Sequence, residues 1–233
     1  METASTDQGP TAEVVVNGLQ LDAPRRAPGD GLTLRDRVGT TFHFDPGALC
    51  LELLLTGGPG WLARFEVLHQ PADLIRWAAL SRLPGGLDLP VTEDDLPAAR
   101  TLRDALHGIA ADRVNGRQPD PAAYRVVNAA AYRVVNAAAA HAPLAVCFTP
   151  GGERGWAPGA TAPHLLSTVA RDAIDLFTGP HADRVRECAT DNCSLLFVDT
   201  SRPGRRRWCS MERCGNRHKV RAHRARQTAP APR

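Results

Sequence analysis

Four cysteines near the C-terminus fall into two pairs, Cys188 with Cys193 and Cys209 with Cys214. Each pair encloses four residues, and fifteen residues separate the pairs. Close thiol pairs joined by a spacer of this length suit a tetrahedral four-cysteine zinc site. Four thiolates leave no open coordination position for water. The expected Zn2+ is therefore structural, one per chain, and not catalytic. Two disulfides or a redox pair are the rival chemistries, and the C-x4-C spacing suits neither. The stretch "METASTDQGPTAE" has no basic or apolar leader pattern, and no apolar run is long enough for a bilayer span. The expectation is a cytoplasmic protein with reduced thiols and no membrane partner. His218 and His223 could replace a cysteine, but beside four thiols they read as surface residues. Cys50 and Cys147 sit in apolar stretches and read as small core residues.

Charge follows the cysteines. The net charge of +3 hides an asymmetry: residues 184–233 carry 13 Lys+Arg against 4 Asp+Glu, and the preceding residues carry 15 against 21. From Arg202 to Arg226 there are ten basic residues and one acidic one, Glu212. On a helix Arg217, Arg221 and Arg224 share one face, and Lys219, His223 and Arg226 share another. Arg205, Arg206 and Arg207 add charge from the spacer. Phosphate backbones match such a surface, and Arg also reads guanine edges. Asn216 can contact adenine or cap a turn. The segment lacks the several exposed aromatics usual in single-strand binders, which favours duplex DNA.

The elements that must position these groups follow from periodicity. Residues 1–12 read as a disordered tail. Glu13–Ala23 reads as two short strands around an Asn17-Gly18 turn. Thr40–Thr56 carries extended or buried segments around Pro46-Gly47, and "LELLL" could equally begin a buried helix. Pro71 opens a helix with Leu74, Trp77 and Ala78 on one face. Thr92 and Asp95 resemble a capping box before a stripe of Leu102, Leu106 and Ile109. Asp120-Pro121 reads as another helix start. A final amphipathic helix presents Leu166, Val169, Ala173 and Phe177 and stops at Gly179. The octapeptide "AAYRVVNA" occurs at 122–129 and again at 130–137. Eight residues rotate a helix by roughly 80° net, so the copies cannot present one face; Tyr124, Val127, Ala131 and Val134 form a drifting stripe. In the spacer, "SLLFVDTSRPGRRRW" can return as a β-hairpin, with Leu195, Phe197 and Trp208 under the metal. After Cys214 the only bulky apolar residue before the tail is Val220, so coordination must clamp the helix that follows.

The stretch "CATDNCSLLFVDTSRPGRRRWCSMERCGNRHKVRAHR" closely resembles the CGNR zinc-finger module, whose name stands here as Cys214-Gly215-Asn216-Arg217. The resemblance maps the module's ligands onto Cys188, Cys193, Cys209 and Cys214. "LCLELLLT", "PADLIRWAAL" and "LRDAL", in that order, resemble the ABATE domain that precedes this finger in stress-induced bacterial transcription regulators. That family commonly has Asp and Asn where this chain has Glu52 and Leu55.

The expected class is α+β: a mixed domain over residues 13–180, mostly helical after residue 70, then a four-cysteine zinc finger over 181–227 with a hairpin and a helix, treble-clef-like, and a tail over 228–233. The expected function is zinc-dependent DNA binding by a transcription regulator, through Arg205, Arg206, Arg207, Asn216, Arg217, Lys219, Arg221 and Arg224. The N-terminal domain would sense a small-molecule signal or mediate assembly, and a homodimer is compatible with one finger per chain. The alternative is a protein- or RNA-interaction module without operator specificity. No Gly-rich phosphate loop, nucleophile elbow or spaced carboxylate pair points to an enzyme.

Overall fold

Alternating apolar residues in "LTLRD" and "TFHF" bury Leu32, Leu34, Phe42 and Phe44 and leave their neighbours wetter, the mark of a sheet with one covered face. The sheet is antiparallel, in the order β1 (Val16–Leu19), β2 (Leu32–Asp36), β3 (Thr41–Phe44). The computed structural model describes residues 16–19, 31–36, 39–115, 129–191 and 193–228. Several expectations lie outside the described residues: the 1–12 tail, the helix start at Asp120-Pro121, the first octapeptide copy up to residue 128, and the C-terminal tail beyond residue 228. The turn expected at Asn17-Gly18 is not formed. Both residues lie inside β1, where Val16 pairs with Asp36 and Gly18 with Arg35, so Asn17 is the extra residue of a bulge. Gly suits a bulge as well as a turn, and pairing with β2 decides between them.

Every residue from Ala48 to Thr56 is buried. The segment is helical, α1 (Leu49–Leu53) followed by a tight turn over Leu54–Thr56, because a segment walled in on all sides must satisfy its own backbone. Four further helices follow: α2 (Pro71–Leu80), α3 (Asp95–Val114), α4 (Ala129–Ala139) and α5 (Ala162–Thr178). Their stripes are those expected: Leu74, Trp77 and Ala78; Leu102, Leu106 and Ile109; Leu166, Val169, Ala173 and Phe177 are all buried. Thr92 donates its N–H and hydroxyl to Asp95 Oδ2 at 2.8 and 2.9 Å just before α3. On α4 the deepest residue is Val135, one position past the expected Val134, because the helix seats its second octapeptide between α3 and α5. A short hairpin, β4 (Val146–Phe148) with β5 (Arg154–Trp156), lies among the helices. It leaves Cys147 half-buried, so of the two cysteines expected in the core only Cys50 is fully enclosed. The class is α+β. No helix among the described residues is long and apolar enough to cross a membrane.

Two charged nodes are built into this body. Arg103, in "LRDAL", is buried, gives both Nη atoms to Glu66 at 2.9 and 2.8 Å, and donates to the Thr56 carbonyl. Gly57 (φ 135°) makes room, since a Cβ there would stand 2.9 Å from Arg103 Nη1. Glu52, in "LCLELLLT", accepts from the Arg82 backbone N–H and Nε at 2.8 and 2.9 Å, and Arg82 reaches on to Asp45. Burial raises the Glu52 pKa to about 7 despite the arginine.

Candidate metal centre and basic helix

The first cysteine pair lies at the tip of a hairpin, β6 (Val185–Glu187) with β7 (Leu196–Val198). Cys188 N–H donates to the Leu195 carbonyl and Cys193 N–H to Thr190, closing a knuckle that turns both thiols inward. The expected hairpin lay in the spacer; instead β7 pairs backwards across the first thiol pair. The spacer then returns alongside, tied by Ala189 N–H to the Arg207 carbonyl at 2.8 Å. Asp199 organises the return. Its carboxylate is buried and accepts from Ser201 N–H, Ser201 hydroxyl and Arg206 N–H, which folds the "DTSRPG" turn.

The second pair spans a wide π-helical turn, Met211–Gly215, where Gly215 N–H reaches back to the Ser210 carbonyl. Cys214 sits in that turn and α6 (Asn216–Thr228) runs on from it. Gly215 leaves room for the Met211 thioether: a Cβ there would meet Met211 Sδ and Cε at 3.0 Å.

All four Sγ atoms lie within 4.8 Å of one another, and all four side chains are buried. Cys193 and Cys209 sulfurs are 3.9 Å apart, Cys209 and Cys214 sulfurs 3.5 Å. A tetrahedron with Zn–S of about 2.3 Å has edges of about 3.8 Å, so the donor set fits Zn2+ in size, type and number. Four thiolates this close need a dication to hold them together. Two donors steady the sulfurs: Cys209 N–H to Cys188 Sγ at 3.4 Å, and Arg213 Nη1 to Cys214 Sγ at 3.6 Å. His218 is exposed and lies against Trp208 with ring centroids 5.3 Å apart; it is not part of the cluster.

The finger is sewn to the body. Phe197 meets Phe44 of β3 edge-to-face at 6.5 Å, and Val198 N–H donates to the Pro46 carbonyl at 2.8 Å. Leu195 and Phe197 are buried as expected, but the ring of Phe197 serves the seam between the two parts. Arg206 caps it. Its guanidinium lies 4.1 Å from the Phe197 ring centre and donates to the Trp208 and Cys209 carbonyls.

The residues expected to meet nucleic acid separate into two groups. Arg205, Arg207, Asn216, Lys219, Arg221 and Arg224 are exposed. Asn216 also donates to the Glu212 carbonyl, the capping role. Two arginines are turned inward. Arg206 is half-buried over Phe197, because a desolvated guanidinium finds carbonyls and an aromatic face there. Arg217 is half-buried and meets Asp36 Oδ2 at 3.3 Å. Its helix face therefore looks toward β2 and β3, where it borders a groove of about 510 Å³. Sequence reasoning passed over Arg213, Asp36 and Phe42 in this groove. Arg213 precedes Arg217 by one helical turn, the signal that marks it as a member of the same row.

Residues 47–180 match the family model ABATE, described as "Putative stress-induced transcription regulator", which covers more than half of the chain. The chain belongs to the ABATE family. Residues 184–227 match the CGNR zinc finger, so the four-thiol cluster is the structural zinc centre that module implies. The ABATE region thus ends just before the knuckle hairpin begins. Both models describe regulator and zinc-finger types and neither describes an enzyme. No curated protein matches the chain.

Proposed function

We propose that this ABATE-family protein is a zinc-dependent, DNA-binding transcription regulator of the cytoplasm, without catalytic activity. The observation that carries the reading is the exposed basic surface mounted on the zinc cluster. Lys219, Arg221 and Arg224 project from α6, and Arg205 and Arg207 from the spacer. A charged helix clamped at one end is a stiff arm for phosphate contacts, and its outer residues can reach base edges. Arg206 and Arg217 position this surface from within and leave the contacts to their exposed neighbours. The N-terminal body, whose Asp36, Phe44 and Pro46, just ahead of the ABATE match, hold the finger, transmits a signal or an assembly state to it. A second copy would supply the further base contacts that one finger lacks.

Gel-shift titration of the zinc-loaded protein with duplex DNA tests this. Affinity is expected to fall steeply with salt, and Arg221→Ala to flatten the log–log salt slope by about one unit. Affinity for heparin or RNA equal to that for every duplex tried would replace operator recognition with general polyanion docking.

A further inference from the structure

The groove between α6 and the β2–β3 edge shares Arg221 and Arg224 with the DNA-facing surface, but its recessed end, at Arg213 and Arg217, takes no part in the contacts proposed above. Four arginines, 213, 217, 221 and 224, line it against two carboxylates, Asp36 and Glu212. Arg213 is the deepest: its side chain is 5% exposed and its guanidinium stacks 4.6 Å from the Phe42 ring centre. Its Nη1 faces Cys214 Sγ, but its Nε and Nη2 have no hydrogen-bond partner among the described residues, nor does Nη1 of Arg217. Asp36 does not satisfy them. Its Oδ1 accepts Thr40 N–H, and its Oδ2 stands 3.6 Å from Arg213 Nε and 3.3 Å from Arg217 Nη2, one carboxylate between two cations.

Buried donors of this kind are costly unless an acceptor meets them. Nε and Nη2 form the side-on edge of a guanidinium, the fork that takes two oxygens of one oxyanion. Arg217 Nη1 offers a third donor. A carboxylate has two terminal oxygens and a phosphate monoester has three. We propose that this groove is a binding site for a small phosphate-bearing molecule, seated on Arg213 and Arg217, with Thr41 and the Phe42 ring lining the wall beside it. Arg213 is too recessed for the convex backbone of a duplex, which favours a small ligand over nucleic acid. Such a ligand would touch the finger through α6 and the N-terminal sheet through β2 and β3. The site goes beyond the DNA-binding reading and stands or falls without it.

The test is calorimetric titration of the zinc-loaded full chain with pyrophosphate and with inorganic phosphate, against chloride at matched ionic strength. Saturable one-to-one binding is expected. Arg217→Gln should weaken it at least tenfold with the zinc-to-protein ratio unchanged, while Arg205→Gln leaves it intact. Arg213→Gln should do the same as Arg217→Gln; if that variant loses zinc because it adjoins Cys214, Arg217→Gln decides alone. Pyrophosphate binding no tighter than chloride, or unchanged in Arg217→Gln, overturns the proposal. A titration repeated with saturating duplex DNA separates the sources: pyrophosphate binding that persists supports a small-ligand site, and competitive displacement assigns the groove to the DNA footprint instead.

Discussion

Helices α5 and α6 lie in the same chain and are held by different physics. Over 17 residues α5 buries Leu165, Leu166, Val169, Ala170, Ala173 and Phe177, and its caps, Thr161 and Gly179, fall where the stripe starts and stops. Over 13 residues α6 buries none of its described side chains, and Val220, its one bulky apolar residue, is half exposed. What α6 has is a zinc ligand in the turn before it and ion pairs from Arg217 to Asp36 and Arg221 to Asp191. Isolated helices of that length are marginal in water. One helix is thus organised along its whole face and the other from a single end, and the two should fail in different ways.

The sharpest break is at the metal. Cys214→Ser, or a strong chelator, is expected to release zinc and free the amides of α6 to exchange, while α5 keeps its protection. Apparent zinc affinities of about 10–16 kcal/mol in small fingers set the scale. Hydrogen exchange read by mass spectrometry checks it, and an α6 that stays protected without metal would contradict the comparison. The reverse experiment uses packing. Leu165→Ala should cost about 2–5 kcal/mol in urea unfolding with zinc content unchanged. Val220→Ala should stay within about 0.5 kcal/mol.

A third change probes the body alone. The Glu52 pKa stands near 7 in the folded protein, above its usual value, so the native state holds the proton more tightly than the unfolded chain does. Stability from this group is complete below about pH 4.5 and is lost as pH rises toward 7. A shift of this size corresponds to about 3 kcal/mol. Glu52→Gln should flatten that fall, seen as a smaller loss of melting temperature between pH 5 and 7 relative to the parent chain. An identical pH profile in the two proteins would place the carboxyl in an ordinary environment.

The metal centre was the most legible part of the sequence because its chemistry is local: four thiols in two short pairs can do few other things together. The stripes of α2, α3 and α5 were legible for a similar reason, since a repeat every three or four residues records a buried face. Short elements were less so. Three-residue strands such as β6 and β7 carry too few positions to show alternation, so the hairpin was expected one segment too late. Asn17-Gly18 carries a turn signal that pairing with β2 overrode. The row Arg217, Arg221, Arg224 was read correctly as one face, but periodicity says which residues look the same way and nothing of what they look at. The answer, Asp36, lies 181 positions away. Polar residues inside the body, such as Arg103 and Glu52, were hidden by the expectation that charges lie outside; each is kept there by a specific partner.

The edge-to-face contact of Phe44 with Phe197, and the bond from Val198 to Pro46 beside it, have a practical consequence. Sequence families divide this chain near residue 180, yet a fragment cut there would carry off one half of a closed apolar joint. The finger excised alone would present Phe197 to water, and the body alone Phe44. The zinc module is thus a poor candidate for transplantation: moved to a new host, it would need that host to offer a matching ring.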